Sequence, residues 1–394
     1  MKYVKRIERG EAPSPTGKYI EFLGHVSRDP FAALDELGNH PPFWIEDPND
    51  VDGYWVITSF EDVRDVLQDA ETFSSVDAQI PFVQMAEPLL PTETDPPYTQ
   101  KLRAALMPAL TAKRVHALVG RMHEVSTQLI EGFRKDGHCN VVKQFSQVYP
   151  ITVFIEFFGM NADRREEFRQ QAQTFQNFAD KRADAWANVR AIVEEQLVLK
   201  RKDPADDLLS AVAQARIDDE LLPMNIAVGL ASAVFVGGLD TVASNLSWDL
   251  RFLAMNPDYR RQLVENPALI PNAVEEFLRM YSVANPMRRV TKDINFRGAN
   301  MLAGDRVQLS CAAANRDVGV FGDKVDFNRQ VNPHIAFATG PHRCLGSHLA
   351  RLEIAVALEN WHKLIPDYRV APGMEFAYHG PIFAMESLEL EWDV

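Results

Sequence analysis

The sequence predicts a mainly α protein: a single large helical domain with small β-sheets. Three observations predict it. Apolar residues recur at helical spacing through most of the chain, and alternation is confined to short stretches near Tyr54, after Met287 and in the C-terminal tail. No Gly/Ser-rich linker, low-complexity run, block of like charges or repeat divides the 394 residues, so residues 1–394 read as one domain. The hydrophobic fraction of 46% and charged fraction of 24% are ordinary for a globular protein, and the chain is long enough to bury a cofactor as well as a core.

Taken in order, Phe31–Leu37 reads as a short helix and Tyr54–Ile57 as a strand. Ser59 can cap the next helix, Phe60–Asp69, where Phe60, Val63, Val66 and Leu67 recur at helical spacing. From Phe73 to Pro91 no period holds, and Pro81, Pro88 and Pro91 act as breakers; long ordered loops of this kind are often functional. Asp95-Pro96-Pro97 signals a helix start with Asp95 as cap, opening a helix that runs through Arg103 to Leu110. Val115–Phe133 is amphipathic, and Phe145–Gly159 is strongly apolar and closes on its glycine. Arg164–Lys200 reads as two helices broken near Asp180, followed by a short helix at Asp206–Gln214. Asn225–Met255 is the longest helical pattern, with Gly237-Gly238 at its middle. Short helices follow at Asp258–Glu265 and Pro271–Tyr281. Arg289–Ile294, Asn295–Phe296 and Val307–Leu309 alternate around turns at Gly298 and Gly304, which predicts a small sheet. Leu345–Leu364 is helical and is stopped by Pro366.

The net charge of −14 argues against nucleic acid or an anionic membrane as the main partner. Residues 1–29 contain no secretory apolar segment and no run of about 18 apolar residues, so neither signal peptide nor membrane anchor is expected. Three cysteines without an export signal point to a reducing cytoplasm and no disulfide framework. Cys139 and Cys311 read as buried or half-buried thiols.

Cys344 has different surroundings. It lies in Phe337-Ala338-Thr339-Gly340-Pro341-His342-Arg343-Cys344-Leu345-Gly346, directly before a helical pattern. Gly340 can fold the loop back, Gly346 lets backbone approach closely, and Phe337 can shield the sulfur. A helix start stabilises a thiolate through its free N–H groups. These are the requirements of a thiolate ligand to haem iron. The second constellation is Gly237-Gly238-Leu239-Asp240-Thr241. Two glycines cost about 1 kcal/mol each in a helix, and Asp and Thr compete for backbone hydrogen bonds, so the helix can open there. Close helix packing explains the glycines but not the acid–alcohol pair. Thr241 can donate to oxygen held in the opening, and Asp240 can relay protons to it. The third is Glu276 and Arg279, which share one helix face.

The cysteine loop resembles that of the cytochrome P450 family, and the resemblance runs from about Tyr54 to the C-terminus. Glu276-Phe277-Leu278-Arg279 matches the family's Glu-x-x-Arg, and Asn315-Arg316-Asp317 also matches. The resemblance implies haem b as cofactor with Cys344 as its iron ligand. It implies that Arg329 joins Glu276 and Arg279 in a structural cluster, that Arg103, Arg288 and His342 hold the haem propionates, and that the helix carrying Asp240 and Thr241 crosses the opposite haem face. The runs Gly237–Val242, Asp95–Pro97, Cys344–Arg351 and Trp392-Asp393 are similar to the camphor-hydroxylating branch. That branch implies a [2Fe–2S] ferredoxin with its reductase as electron source, terpenoid-like substrates and a monomer.

Departures from that branch are visible. The 82–91 stretch is shorter and lacks a tyrosine, Pro286 and Met287 replace an acidic residue and a glycine, Thr99 stands where many members have histidine, and Ala338 replaces a glycine. By position, Phe82, Ala233, Val236, Gly237, Val283, Met287 and Ile382 line a greasy substrate pocket, and Phe168–Trp186 forms a lid. Lys101, Arg103, Arg343 and Arg351 would give the face toward an acidic ferredoxin local positive charge. The expected function is hydroxylation of an apolar terpenoid or norisoprenoid with O2. The alternatives are a peroxide-driven or rearranging haem-thiolate enzyme and a non-catalytic haem or hydrophobe carrier.

Overall fold

The structure, a computed structural model, describes residues 24–26, 28–47, 50–78, 88–160, 165–238, 240–380 and 382–394. Local signals set many helix ends. Asp29 accepts from the N–H of Phe31 (2.9 Å) to start Pro30–Leu37, and Ser59 accepts from Asp62 (3.4 Å) to start Phe60–Gln68. Phe60, Val63, Val66 and Leu67 are all buried. Tyr149–Phe158 ends on Gly159 at φ +90°, where a Cβ would lie 2.3 Å from the Asp207 side chain. Asp207 is fixed there because it caps Leu208–Ala213 through the N–H of Ser210 (2.7 Å) and pairs with Lys200. The charged stretch forms Arg165–Asn177 and Arg182–Lys202, separated at Ala179–Lys181, close to the expected break at Asp180.

One helix start differs from expectation. The helix is Tyr98–Leu106, and Asp95 does not cap it. Its carboxylate accepts instead from Ser74 Oγ (2.5 Å) and the Ser75 N–H (2.9 Å), which ties the chain before this helix to a sheet edge.

The expected small sheet at 289–309 is wider than the alternation indicated. Its five strands run Phe43–Asp47, Asp50–Ile57, Arg306–Leu309, Met287–Val290 and Phe73–Ser74 in spatial order. Arg306–Leu309 is parallel to Asp50–Ile57 and antiparallel to Met287–Val290. A second sheet pairs Tyr378–Gly380 with both Gly24–Val26 and Ala384–Met385. A third brings His138–Asn140 beside Glu389–Glu391.

Two apolar cores result. The larger gathers Val119–Phe133, Tyr149–Phe158, Thr241–Met255, Ile270–Met280 and Ser347–Leu364; the smaller packs Phe60–Gln68 against the five-stranded sheet. Trp248 is enclosed between Tyr281 and Tyr378, with ring centroids 5.5 and 5.2 Å away, and donates from Nε1 to the Phe383 carbonyl (2.8 Å). Cys139 and Cys311 are buried, and burial pushes the Cys311 thiol up to about 12. No helix among the described residues is long and apolar enough to cross a membrane.

Like Glu353, whose carboxyl burial also pushes up, Asp249 is an exception within the larger core. It is fully buried in Thr241–Met255, and neither carboxylate oxygen has a hydrogen-bond partner. Burial pushes its pKa well above the usual carboxylate range. Above about pH 4 the unfolded chain releases this proton while the folded chain keeps it, so this group makes stability fall as pH rises. Asp249→Leu is expected to remove up to about 1.4 kcal/mol per pH unit from that slope. Urea midpoints at pH 4.5, 6 and 7.5 test this: the variant's advantage should grow with pH, and a constant advantage contradicts a protonated Asp249.

Candidate active site

The cysteine loop is closed by its own backbone. The Cys344 N–H donates to the Phe337 carbonyl (2.8 Å), and the next helix begins at Ser347. Gly340 has φ +70°, and a Cβ there would lie 2.7 Å from the Leu67 carbonyl oxygen, so only glycine lets the loop rest on the end of Phe60–Gln68. The Phe337 ring lies under the Arg351 guanidinium, 4.6 Å from its centroid. Cys344 has accessible surface, yet the protein mass around its sulfur is dense enough that desolvation raises its pKa. The Gly346 N–H and the charges of Arg103, Arg351 and Arg343 act in the opposite direction and favour the thiolate.

Two arginines and a histidine converge beside this loop. Arg103, on Tyr98–Leu106, donates from Nη2 to the Arg343 carbonyl. Arg288 is 4% exposed on the sheet strand Met287–Val290; Nη1 donates to the Met287 carbonyl (2.7 Å), and Nη2 is buried without a partner. His342 Nε2 lies 3.0 Å from Ser75 Oγ, next to the Asp95 anchor. Burial, then the charges of Arg288 and Arg103, hold the His342 pKa down at about 4. A buried guanidinium with an unused donor beside a second arginine requires an anion, so the donor set fits the carboxylates of a haem. Thr99 does not join them: it is buried and donates to the Thr94 carbonyl (2.5 Å).

The longest helical pattern is two helices, Met224–Gly237 and Thr241–Met255. The interruption falls at the glycine–acid segment. Its glycines do different work. A Cβ on Gly238 would lie 2.3 Å from the Phe154 ring, so close packing accounts for Gly238. A Cβ on Gly237 would meet nothing within 4 Å, and Gly237 is exposed on the open side. Thr241 Oγ1 donates across the gap to the Gly237 carbonyl (3.4 Å), and Asp240 beside it is buried.

Behind the loop, Glu276 is fully buried and accepts from Arg279 Nε (2.9 Å) and Nη2 (2.8 Å), Arg329 Nε (3.1 Å) and Nη2 (3.3 Å), the Asp326 N–H (3.0 Å) and Asn332 Nδ2 (3.0 Å). Those donors outweigh burial and lower its pKa. The structure thus brings Glu276, Arg279 and Arg329 together. Sequence reasoning missed the neighbour, Glu275, which accepts from Arg351 Nη2 (2.9 Å) and lies 2.9 Å from His334 Nε2. Although burial alone would raise the Glu275 pKa, His334 and Arg351 bring it down to about 2. The available signal was two consecutive acids in an apolar helix, one step of about 100° apart.

Among the expected pocket residues, Ala233, Val283, Met287 and Ile382 adjoin the larger core, and the Phe383 N–H bonds the Val283 carbonyl (3.0 Å), which holds Ile382 near Val283. Phe82 lies outside the described residues, as does the side chain of Val236. The expected basic face is largely committed to internal partners: Lys101 pairs with Asp218 (2.6 Å), Arg351 with Glu275 and Arg103 with the Arg343 carbonyl.

A cysteine loop with Arg103, Arg343 and Arg351 around its sulfur, an anion-seeking rim and a helix opened at Asp240-Thr241 define a haem-thiolate oxygenase. Residues 138–372 match the sequence profile described as Cytochrome P450. The chain is 36% identical over 393 residues to "Probable cytochrome P450 127A1" of Sinorhizobium fredii, covering 97% of this chain and 92% of that protein. It is 32% identical to "Mycinamicin IV hydroxylase/epoxidase" of Micromonospora griseorubida, covering 80% and 83%. The crystal structure of CYP101J2 matches with a TM-score of 0.87 at 26% identity, covering 98% of this chain and 100% of that one; for CYP101C1 the TM-score is 0.85. The chain belongs to the cytochrome P450 family and is a monooxygenase that binds haem b. Within the family it resembles the camphor-type branch.

Ala338 adopts φ +53°, which costs a residue with a Cβ about 1–2 kcal/mol. Glycine, usual there in the family, avoids that cost at the expense of unfolded-chain entropy. Ala338→Gly is therefore expected to raise stability by up to about 1 kcal/mol, read as a higher urea midpoint with the absorption spectrum of the bound haem unchanged.

Proposed function

We propose that this enzyme hydroxylates an apolar small molecule, a terpenoid or norisoprenoid, using O2 and two electrons from a [2Fe–2S] ferredoxin and its reductase. Residues 1–394 act as one domain, monomeric and cytoplasmic. The balance is RH + O2 + 2 e⁻ + 2 H⁺ → ROH + H2O. The observation that carries the reading is the helix interruption, where buried Asp240 adjoins a Thr241 hydroxyl bonded to the Gly237 carbonyl. A peroxide-driven enzyme has no need of such an acid–alcohol pair.

Bound haem b supplies the redox and oxygen-activating chemistry. Cys344 would give its thiolate to the iron, and Phe337 and Arg351 cover the loop. Arg288, Arg103 and His342 would hold the propionates, with the buried Arg288 Nη2 as the strongest claimant. The Thr241 hydroxyl would hold a proton for the bound oxygen, and Asp240 would replace it. The substrate class rests on the apolar set Ala233, Val283, Met287 and Ile382 and on the likeness to CYP101 structures. Arg343, exposed beside Cys344, supplies charge toward an acidic ferredoxin.

Cys344→Ser should abolish the thiolate-type Soret band of the reduced CO complex; retention of that band sinks the ligand assignment. Thr241→Ala should lower product formed per NAD(P)H by about a hundredfold, the low end for a positioned proton donor, while substrate-induced spin-state shifts persist. Turnover by peroxide alone at the rate seen with ferredoxin would favour the peroxide-driven alternative. A spin-state screen of terpenoids, with mycinamicin IV as a contrasting compound, tests the substrate class.

A further inference from the structure

Asp240 also faces a small cavity on its solvent side. The polar lining is Asp240, Ser244 and Ser247 from the helix region, Gln147, Gln173 on Arg165–Asn177 and His379 on Tyr378–Gly380; apolar side chains complete it. It leaves about 20 Å³ for the centre of a water molecule. A water needs roughly 10–15 Å³ on this measure and two to four polar partners, so the cavity accommodates one. The lining is graded. Asp240, Ser244 and Ser247 are buried, whereas Gln147, Gln173 and His379 are half-buried.

The reaction consumes two protons per turnover, and Asp240, at 8% exposure, has little direct contact with bulk water. Its supply must pass through neighbours. The serine hydroxyls have internal acceptors: Ser244 Oγ donates to the Asp240 carbonyl (2.9 Å), and Ser247 Oγ lies 2.9 Å from the Ala243 carbonyl and 2.7 Å from Ser146 Oγ. Glutamine amides orient a water but do not carry a proton. Among the described residues of the lining, His379 is the one other group that gains and loses a proton near neutral pH in its ordinary state. It sits on the central strand of its sheet, paired on both sides, and Trp248 packs on the neighbouring Tyr378 and bonds the Phe383 carbonyl. Its backbone is therefore fixed relative to Asp240.

We propose that His379 feeds Asp240 through a water held in this cavity. One ring nitrogen releases a proton to the water as the water passes one to the Asp240 carboxylate, and the ring takes its replacement from solvent; no electron moves. Gln173 and Gln147 position the water. His379 touches no reacting atom and acts only through Asp240. The inference rests on the reading of Asp240 as proton donor to Thr241.

The test compares Asp240→Asn, His379→Leu, His379→Gln and the double variant Asp240→Asn/His379→Leu as holoenzymes. A crystal structure of the parent should show a water within hydrogen-bond distance of both Asp240 and His379; its absence overturns the inference. With β-ionone as probe and a [2Fe–2S] ferredoxin system, NADH oxidation should slow about a hundredfold in His379→Leu, the low end for a lost proton-transfer group, with a larger solvent deuterium effect. His379→Gln should keep the water but not the rate; full rescue by glutamine overturns proton carriage by the imidazole. The double variant should be no slower than Asp240→Asn, because one route is cut only once. If Asp240→Asn is slow and His379→Leu is as fast as the parent, the inference fails alone. If Asp240→Asn is also as fast as the parent, the relay reading falls and this inference with it.

Discussion

The Glu276 carboxylate is the interaction on which the site depends. A fully buried carboxylate costs several kcal/mol of desolvation unless its lone pairs are filled. Glu276 fills them with donors from its own helix and from residues 326–332. Arg279 then spends its remaining Nη1 on the Asn315 carbonyl (2.9 Å), and the Asn315 side chain accepts from the Ile335 N–H (2.8 Å). The irregular chain that leads to Cys344 is thus held by charge-assisted bonds where it has no ladder of its own. Glu275 repeats the device one step round the helix: through Arg351 and His334 it fixes the residues that flank Phe337. Two adjacent acids position one loop from two sides.

The same low-dielectric interior treats its ionisable groups unequally, and the difference marks their roles. Glu276 has its donors and is held low, whereas Asp249 has none and is pushed high. Arg288 falls between them. Burial lowers its pKa to about 10, and Nη2 has no protein partner. A folded protein tolerates such a group where a ligand completes it. A chain of net charge −14 that nevertheless gathers Arg288, Arg103 and His342 at one place is arranged for an anion there.

Much of this was legible in the sequence because each signal was local. Ser59 and Gly159 act over one turn, Phe60 to Leu67 repeat at helical spacing, and Glu276 and Arg279 are three residues apart. Contacts that depend on chain reversal were not legible. Asp95 looked like a cap because the following prolines open a helix, but its carboxylate turns back to Ser74 and Ser75. The strand His138–Asn140 lies against Glu389–Glu391, distant in sequence, and Phe43–Asp47, though it pairs with the adjacent Asp50–Ile57, leaves too little alternation to detect. Lys101 and Arg351 read as surface charge because Asp218 and Glu275 are 117 and 76 residues away.

The two central glycines show how packing and chemistry share one segment. Gly238 allows the Phe154 ring to approach, which locks the end of Met224–Gly237 against Tyr149–Phe158. On the other side, Asn245 donates to the Tyr281 carbonyl (2.6 Å) and Ser247 meets Ser146 (2.7 Å), so Thr241–Met255 is pinned just beyond the break. Between these anchors the helix cannot close, and the Gly237 carbonyl is left for Thr241. An open turn in an unanchored helix would fluctuate and lose the geometry that proton transfer needs. Here the opening is enforced by packing at both ends, so the acid and the alcohol are held by the core rather than by each other.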